Sequence, residues 1–536
     1  MVVTPDQEQQ LVHRRPTGGR ERTGEGPTGF RSLVRDSIVF GGGIWAGAAI
    51  GFVMLPVYTR FLTVSEYGQL ELLNRTAQII VMVMAVGLRA SIIRHYFESD
   101  DPNYRRLLAG SSLVFLGTLG AAAATASVVV APRLAALLLG SAALSGVMQL
   151  MVLTCAAELA LLTPTALMQA RQQSVAFTCT RLAQLVLVAA LNILFLVVLD
   201  QGLRGAVRAS LLGTAVPALA LVVFTAAREG MRVSWQVIRD LLRFGLPLVP
   251  AGLLSFVMGF ADRYVLNTYA GPWSVGVYSL ACRFGMVLGL IVFDPLMKVW
   301  IPFQMRVLRS HDAPATFARV LTYVWGLALW LGLLVSIAAP YLIRAMSSAD
   351  YAAASGIVPL ACLASALWGA SLVLDGAIYI AKRTILKPFI FAIGALVSIG
   401  LNFVLVRSLG ATGAALAAVA TQSTFVLVTY LAATRFYPIP YEFGRLSKLL
   451  GVAAALYMLS TRITGEGWDY AALKAAIVCL YPATMWAARF FTQEELRQAA
   501  RLAGRLRWPW QRSGAFADPE PLDEAVPTAS ANMRRW

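Results

Sequence analysis

Ten ionisable side chains lie inside otherwise apolar runs: Glu71, Arg75, Arg89, Glu158, Asp262, Arg263, Arg283, Asp294, Lys298 and Asp375. In hydrocarbon each would cost about 2.5–3.5 kcal/mol on insertion scales, so each must be paired or face water. Five are basic and five acidic, so the set is not simply a cationic lining. Glu71–Arg75 and Asp294–Lys298 have i,i+4 spacing, which puts opposite charges on one helix face where they can neutralise each other. Asp262 and Arg263 are adjacent near the end of "FGLPLVPAGLLSFVMGFADRYVLNTYAG" (Phe244–Gly271) and read as a self-compensated charge beside a polar path. Glu158 and Asp375 have the chemistry of coupling carboxylates that take up a proton or a cation, and equally of groups that bond a neighbouring helix.

These charges must be positioned by membrane helices. The chain has 536 residues, 58% of them hydrophobic and only 14% charged. Soluble domains carry about a quarter charged residues, so the expected class is an all-α, multi-pass integral membrane protein. A net charge of +17 would suggest nucleic acid in a soluble chain. Here the basic residues gather in tails and short loops, so membrane orientation accounts for them and no nucleic acid is expected. The five cysteines fall in apolar runs without metal-ligand spacing and read as buried fillers, so no metal or cofactor is expected.

At about 20 residues per span, hydropathy gives about fourteen helices. They lie near 37–59, 68–93, 107–131, 147–170, 176–199, 206–227, 244–268, 275–301, 318–341, 355–380, 386–406, 411–434, 447–463 and 470–488. With the N-terminus inside, cytoplasmic segments collect about 32 of the 45 Lys and Arg, external loops about 8 and the spans about 5. Both termini are then cytoplasmic. Residues 1–35 read as a disordered basic tail rather than a signal peptide, and 228–243 as a cytoplasmic linker. Residues 491–536 read as a basic amphipathic surface helix with Arg497, Arg501 and Arg505 at four-residue intervals, followed by a disordered end. Pro247, Pro250, Pro295 and Pro302 should bend spans 7 and 8. Tyr58, Trp273, Tyr341 and Trp468 read as interface anchors.

The chain repeats itself. Phe40–Gly41 opens span 1 as Phe244–Gly245 opens span 7, followed by Arg60 and Arg263 near the outer ends. Gly68 precedes Arg75 by seven residues, and Gly276 precedes Arg283 by the same interval. Leu191–Asn192 with Gly202, Gly205 and Ala206 matches Leu401–Asn402 with Gly410, Gly413 and Ala414. All give an offset of about 205–210 residues, the mark of parallel repeats around a central path. The domains are thus an N-lobe at 36–227 (spans 1–6), a C-lobe at 244–437 (spans 7–12) and two extra helices within 438–490. Arg75 and Arg283 become counterparts facing each other across the lobes.

"LPVYTRFLTVSEYGQLEL" (Leu55–Leu72), "FGLPLVPAGLLSFVMGFADRYVLNTYAGPWSVGVYSLA" (Phe244–Ala281) and "LKPFIFAIGALVSIGLNFVLVRSLGATGAALAAVATQ" (Leu386–Gln422) carry a resemblance. Over about residues 34–435 the chain resembles the polysaccharide transporters of the MOP exporter superfamily, the Wzx-type flippases. The resemblance implies a V-shaped pair of six-helix lobes (MATE/MOP-like) in a bacterial inner membrane, working by alternating access. It implies a polyprenyl-pyrophosphate-linked glycan as substrate, moved from the inner to the outer leaflet. Membrane lipids, a polysaccharide polymerase and a chain-length regulator are candidate partners. Under it, Arg75, Arg283 and Arg263 would hold the pyrophosphate, because planar guanidinium groups make paired hydrogen bonds to phosphoryl oxygens. Two other readings stay open. Arg263 with Asp262, or Arg75 with Glu71, can latch the lobes, or the arginines can reach toward the membrane edge.

An enzyme is not expected: the external loops are short, the histidines His13, His95 and His311 are scattered, and no P-loop pattern occurs. A small-molecule antiporter of the multidrug branch and a flippase for a peptidoglycan precursor remain as alternatives with the same architecture.

Overall fold

A backbone that crosses hydrocarbon must satisfy its own polar groups, and helix does this within one segment. The computed structural model describes residues 42, 43, 45–308, 312–463, 465 and 468–487, and among these there are helices and no strand. The expected N-terminal tail and C-terminal surface helix lie outside the described residues. The helical stretch 45–53 leads into α1 (Leu55–Phe61). Next come α2 (Val64–Met84), α3 (Leu88–Tyr96), α4 (Pro102–Leu139), α5 (Ser145–Ala170), α6 (Ser174–Asn192) and α7 (Gly202–Glu229). After a short helix α8 (Trp235–Gly245) the chain enters α9 (Val249–Leu288) and α10 (Asp294–Val307). The series ends with α11 (Ala313–Met346), α12 (Val358–Ile380), α13 (Leu386–Thr434), α14 (Phe443–Arg462) and α15 (Trp468–Ala487).

Within the described residues, every span expected from hydropathy falls on helix. By length and apolarity eight helices qualify as membrane spans, or nine with the bent pair α2–α3 counted as one. Two of the eight hold two expected spans each. α9 turns at Gly271 (φ 74°) and α13 at Gly410 (φ 56°), conformations that a residue with a Cβ rarely adopts. Among the described residues, those through Val478 form one compact unit and Cys479–Ala487 belong to a second.

In the first unit α4, α5 and α7 pack together with α6 on α7, and α2 and α3 lie on α5. Further along, α9 packs on α13 and α12, and α11 on α12 and α14. α2 against α9 joins the two sets. Leu88, Ile92, Leu108, Leu116, Leu159 and Leu241 centre a core between α3, α4, α5 and α8. The linker 228–243 is more than a connection. α8 buries Val237, Ile238 and Leu241 and turns Trp235, Arg239 and Arg243 outward.

The repeat has a physical counterpart at the joint. A Cβ on Gly68 would strike the carbonyl oxygen of Pro272, and one on Gly276 would strike that of Val64. Residues 64 and 272, like 68 and 276, are 208 apart, so the contact is reciprocal. Helices approach this closely only where side chains are absent. Asn192 and Asn402 likewise make the same bond, each Nδ2 donating to the carbonyl four residues back at 2.8 Å.

One expectation is corrected here. Cys155 and Cys362 are buried, but Cys179 and Cys479 are exposed and Cys282 is intermediate, because the apolar runs holding them also present a face outward. Of the four prolines expected to bend spans 7 and 8, Pro247 lies in the 3-10 turn Leu246–Leu248 and Pro250 just after it, Pro295 lies just after the π-helical turn Gly289–Phe293, and Pro302 lies within α10.

The joint makes a prediction. Gly68→Ala and Gly276→Ala should each destabilise the protein by about 1–3 kcal/mol through overpacking. Gly259→Ala, where a Cβ meets nothing within 4 Å, should not. Reversible unfolding in mixed micelles measures this, and equal behaviour of all three would refute it.

Candidate functional site

α2 begins with a capping box. Thr63 Oγ1 accepts from the N–H of Glu66 at 3.2 Å and the Thr63 N–H donates to Glu66 Oε2 at 3.0 Å. From that fixed start Gly68, Glu71 and Arg75 recur at the helical interval on one face, the face that meets α9. On α9 the corresponding stripe is Gly276, Ser279 and Arg283. The close glycine contact one turn away therefore brings Arg75 and Arg283 around a single carboxylate.

That carboxylate is Glu71, 2% exposed. Its Oε1 accepts from Arg75 Nε at 2.9 Å and Nη2 at 2.5 Å. Its Oε2 accepts from Arg283 Nη2 at 3.2 Å. Arg263, also buried, brings Nε to 3.8 Å from Glu71 Oε1. Asp262 secures Arg263 in turn: Oδ1 accepts from its Nη1 at 3.0 Å and from its backbone N–H at 2.9 Å. Tyr278 donates its hydroxyl to Asp262 Oδ2 at 2.5 Å. Phe260 lies under both neighbouring guanidiniums, 4.2 Å from Arg75 and 5.3 Å from Arg263. Three guanidiniums thus share two carboxylates, leaving one positive charge in excess.

The excess points somewhere. Arg283 is 40% exposed at its side chain and, with Glu71, Tyr58, Tyr67 and Asn74, lines a cavity of about 180 Å³. Drug-sized ligand sites run to about 300–1,000 Å³, so this conformation has room for a compact anionic head alone. Tyr58, expected as an interface anchor, belongs to this wall because its side chain turns into the bundle. Beside the cavity, Arg60 Nη2 donates to the Ala345 carbonyl at 2.6 Å and Thr59 Oγ1 to Met346 at 3.2 Å, tying α1 to the end of α11.

Of the residues expected from sequence, Glu71, Arg75, Asp262, Arg263 and Arg283 come together. The others do not. Asp375 accepts from Lys387 Nζ at 2.5 Å, and Lys387 also faces the rings of Phe391 and Phe425. Its carboxylate therefore carries a cation of its own. Glu158 accepts from Gln184 Nε2 at 2.8 Å and lies 3.6 Å from Arg181. Asp294 and Lys298 make no ion pair within 4 Å among the described residues, against the i,i+4 expectation. Both are exposed, and solvated charges one turn apart gain little from holding one geometry. Sequence reasoning missed Tyr278, Phe260, Lys387 and Arg181. Lys387 had a signal, a basic residue at the first turn of a span, and Arg181 another, a charge within span 5.

The sequence profile of a family described as polysaccharide biosynthesis protein matches residues 33–307. Comparison with curated protein sequences gives no match. Among solved structures the fold is similar to "Lipid II flippase MurJ, inward closed conformation", with TM-score 0.69 and 12% identity over 85% of this chain and 100% of that one. It is also similar to an inward-facing multidrug resistance MATE transporter of the MOP superfamily, with TM-score 0.56 and 15% identity over 78% and 96%. A Vibrio cholerae MATE transporter, VcmN, has TM-score 0.51 and 16% identity over 76% and 96%. At these identities the likeness is one of fold: an all-α membrane transporter fold.

The geometry makes Glu71 the keystone. Glu71→Ala leaves three guanidiniums around an empty place and should cost about 3–5 kcal/mol of stability, as removal of one partner of a buried ion pair does. Glu158→Ala, at a partly exposed pair, should cost about 1 kcal/mol or less. Denaturant titration of the purified variants compares them, and equal losses would contradict the assignment.

Proposed function

The chain belongs to the polysaccharide biosynthesis protein family, and from that premise we propose that it is a flippase for a polyprenyl-pyrophosphate-linked oligosaccharide. It moves the lipid-linked glycan from the inner to the outer leaflet of a bacterial cell membrane by alternating access, for export of a surface polysaccharide such as an O-antigen or exopolysaccharide. The lobes are residues 36–227 and 244–437, and both termini are cytoplasmic. The observation that carries this reading is the convergence of Arg75, Arg263 and Arg283 on Glu71 beside a small cavity.

The arrangement joins two roles that the sequence left as alternatives. Arg263–Asp262 and Arg75–Glu71 each lie within one helix and latch nothing by themselves. Arg283–Glu71 and Arg263–Glu71 run from α9 to α2 and tie the halves together. A pyrophosphate arriving in the cavity offers more negative charge than one carboxylate and fits the guanidinium fork. It competes with Glu71 for Arg283 first, since Arg283 is the exposed member. Loss of the cross-helix ion pairs then frees the reciprocal glycine contact, and the outer ends of α2 and α9 can part. Substrate binding and gate release are the same exchange of anions. The driving force is supplied only by differential affinity for the two states.

Reconstitution tests this. The full chain in proteoliposomes with a fluorescent polyprenyl-pyrophosphate oligosaccharide should speed its arrival in the far leaflet, read by a membrane-impermeant quencher. Arg75→Glu and Arg283→Glu, each reconstituted in equal amount, should slow the rate by about tenfold or more, the scale of one lost charge-assisted hydrogen bond. Wild-type rates in both variants would end the ligand role. Efflux of small organic cations without any flipping would replace this reading with that of a multidrug antiporter.

A further inference from the structure

Half of the cavity wall is not explained by an anionic head. One side, from α2 and α9, is polar and carries Glu71 and Arg283. The opposite side is apolar: Ile50 and Gly51 of the helical stretch 45–53 face Leu185 and Val188 of α6. A phosphate gains nothing from such a surface, because setting a charge against hydrocarbon costs its hydration. An apolar group does gain, in proportion to the area taken out of water. A wall divided in this way suits a ligand whose charged end passes directly into hydrocarbon.

The shape of the apolar side follows from three glycines. Gly43, Gly47 and Gly51 recur every four residues and so share one helix face. At the first two, that face is pressed on α6. A Cβ on Gly43 would strike the Thr178 side chain, and one on Gly47 would come within 3.0 Å of Leu185. At Gly51 a Cβ would meet nothing within 4 Å. Helices that touch at 43 and 47 have therefore parted one turn later, and the space left between them is the apolar side of the cavity. Gly51 and Leu185 are exposed, so this gap is open rather than sealed. Packing requires glycine at 43 and 47. At 51 it does not, and there glycine weakens the helix while giving only room. On the polar side Tyr67, 3% exposed, also lines the cavity, and its hydroxyl finds no acceptor among the described residues. The cavity thus combines a cation in excess, an unused hydroxyl donor and an unfilled apolar gap.

We infer that the gap between Gly51 and α6 is a subsite for the first isoprene of the carrier lipid, and that Gly51 is the specificity-determining residue that leaves room for it. The inference rests on the flippase reading and deepens it: the cavity reads the junction of phosphate and prenyl chain rather than the glycan. The phosphate oxygens accept from Arg283 and from the Tyr67 hydroxyl, and the five-carbon unit esterified to that phosphate lies between Gly51, Leu185 and Val188. Every glycan carried on a polyprenyl pyrophosphate presents this same junction. A site that reads it therefore accepts different glycans on one carrier and rejects a pyrophosphate that lacks the prenyl chain.

Two soluble monoesters of equal charge isolate the apolar contribution: methyl pyrophosphate, and dimethylallyl pyrophosphate, which carries a single isoprene. Titrated calorimetrically into the full chain in lipid nanodiscs, the dimethylallyl ester should bind about tenfold more tightly, because more carbon leaves water. Gly51→Leu should abolish that preference and leave the affinity for the methyl ester unchanged. It should also keep or raise the thermal midpoint, since leucine is a better helix former than glycine. Gly51→Ala should remove part of the preference. Equal affinity of the two esters for the unaltered chain would overturn the subsite and leave the flippase reading standing. A preference that Gly51→Leu leaves intact would do the same. Binding of neither ester, nor of inorganic pyrophosphate, would overturn both. If the leucine variant folds poorly, the comparison of the two esters on the unaltered chain, with Gly51→Ala beside it, still decides.

Discussion

One buried carboxylate holding three guanidiniums is the constraint from which the rest of the joint follows. Removing a carboxylate and two of its three cations from water is costly, and that cost is offset only where the partners come close with good geometry. Glu71 achieves this because Gly68, less than one turn before it, lets α9 approach until backbone meets backbone. With a side chain at 68 or 276, the helices would separate and Arg283, 3.2 Å from Glu71, would lose its bond. The glycines and the glutamate are therefore one device, in which steric permission supplies the distance and charge supplies the attraction.

The repeat is deliberately imperfect at this point, and the imperfection matters physically. The residue equivalent to Glu71 is Ser279, buried and neutral. Had both halves carried glutamate, Arg75, Arg263 and Arg283 would face three carboxylates with Asp262 included, and no charge would remain for an anionic ligand. Had both carried serine, the arginines would repel one another in a dry joint. One glutamate between two related arginines leaves the site held together and still short of negative charge. Such a site keeps an uncompensated positive charge, the property on which the proposed anion-binding role rests.

Sequence reading reached the fold and half of the site for identifiable reasons. Spans were legible because a bilayer demands long apolar runs, and their helices fall where hydropathy placed them. Arg75 and Arg283 were legible because the Gly-to-Arg interval of seven repeats. Arg263 was legible as a charge in an apolar run, though its bond network with Tyr278 and Phe260 was not, since that depends on which faces α9 presents. Spacing alone misled at Asp294–Lys298: i,i+4 brings charges within reach on a helix, but only burial gives them reason to pair, and these two are exposed. The pairing of Asp375 with Lys387 was hidden because it joins the ends of neighbouring helices, α12 and α13, across a turn that reads as an ordinary basic loop. The breaks at Gly271 and Gly410 were implied by span length and needed backbone torsions to become visible.

Asp375 bears on what can drive transport. A carboxylate that couples to a cation must be free to exchange it, yet the ammonium bonded here is tethered to the chain and flanked by Phe391 and Phe425. An incoming sodium ion would have to displace Lys387 from an aromatic pocket and leave that charge buried without a counterion. The balance of charge at Asp375 thus favours a fixed structural pair between α12 and α13. Glu158 differs, since its partners Arg181 and Gln184 are held by longer contacts and its side chain is partly open. Glu158 thus joins α5 to α6 through Gln184 and Arg181, a contact within one set of helices.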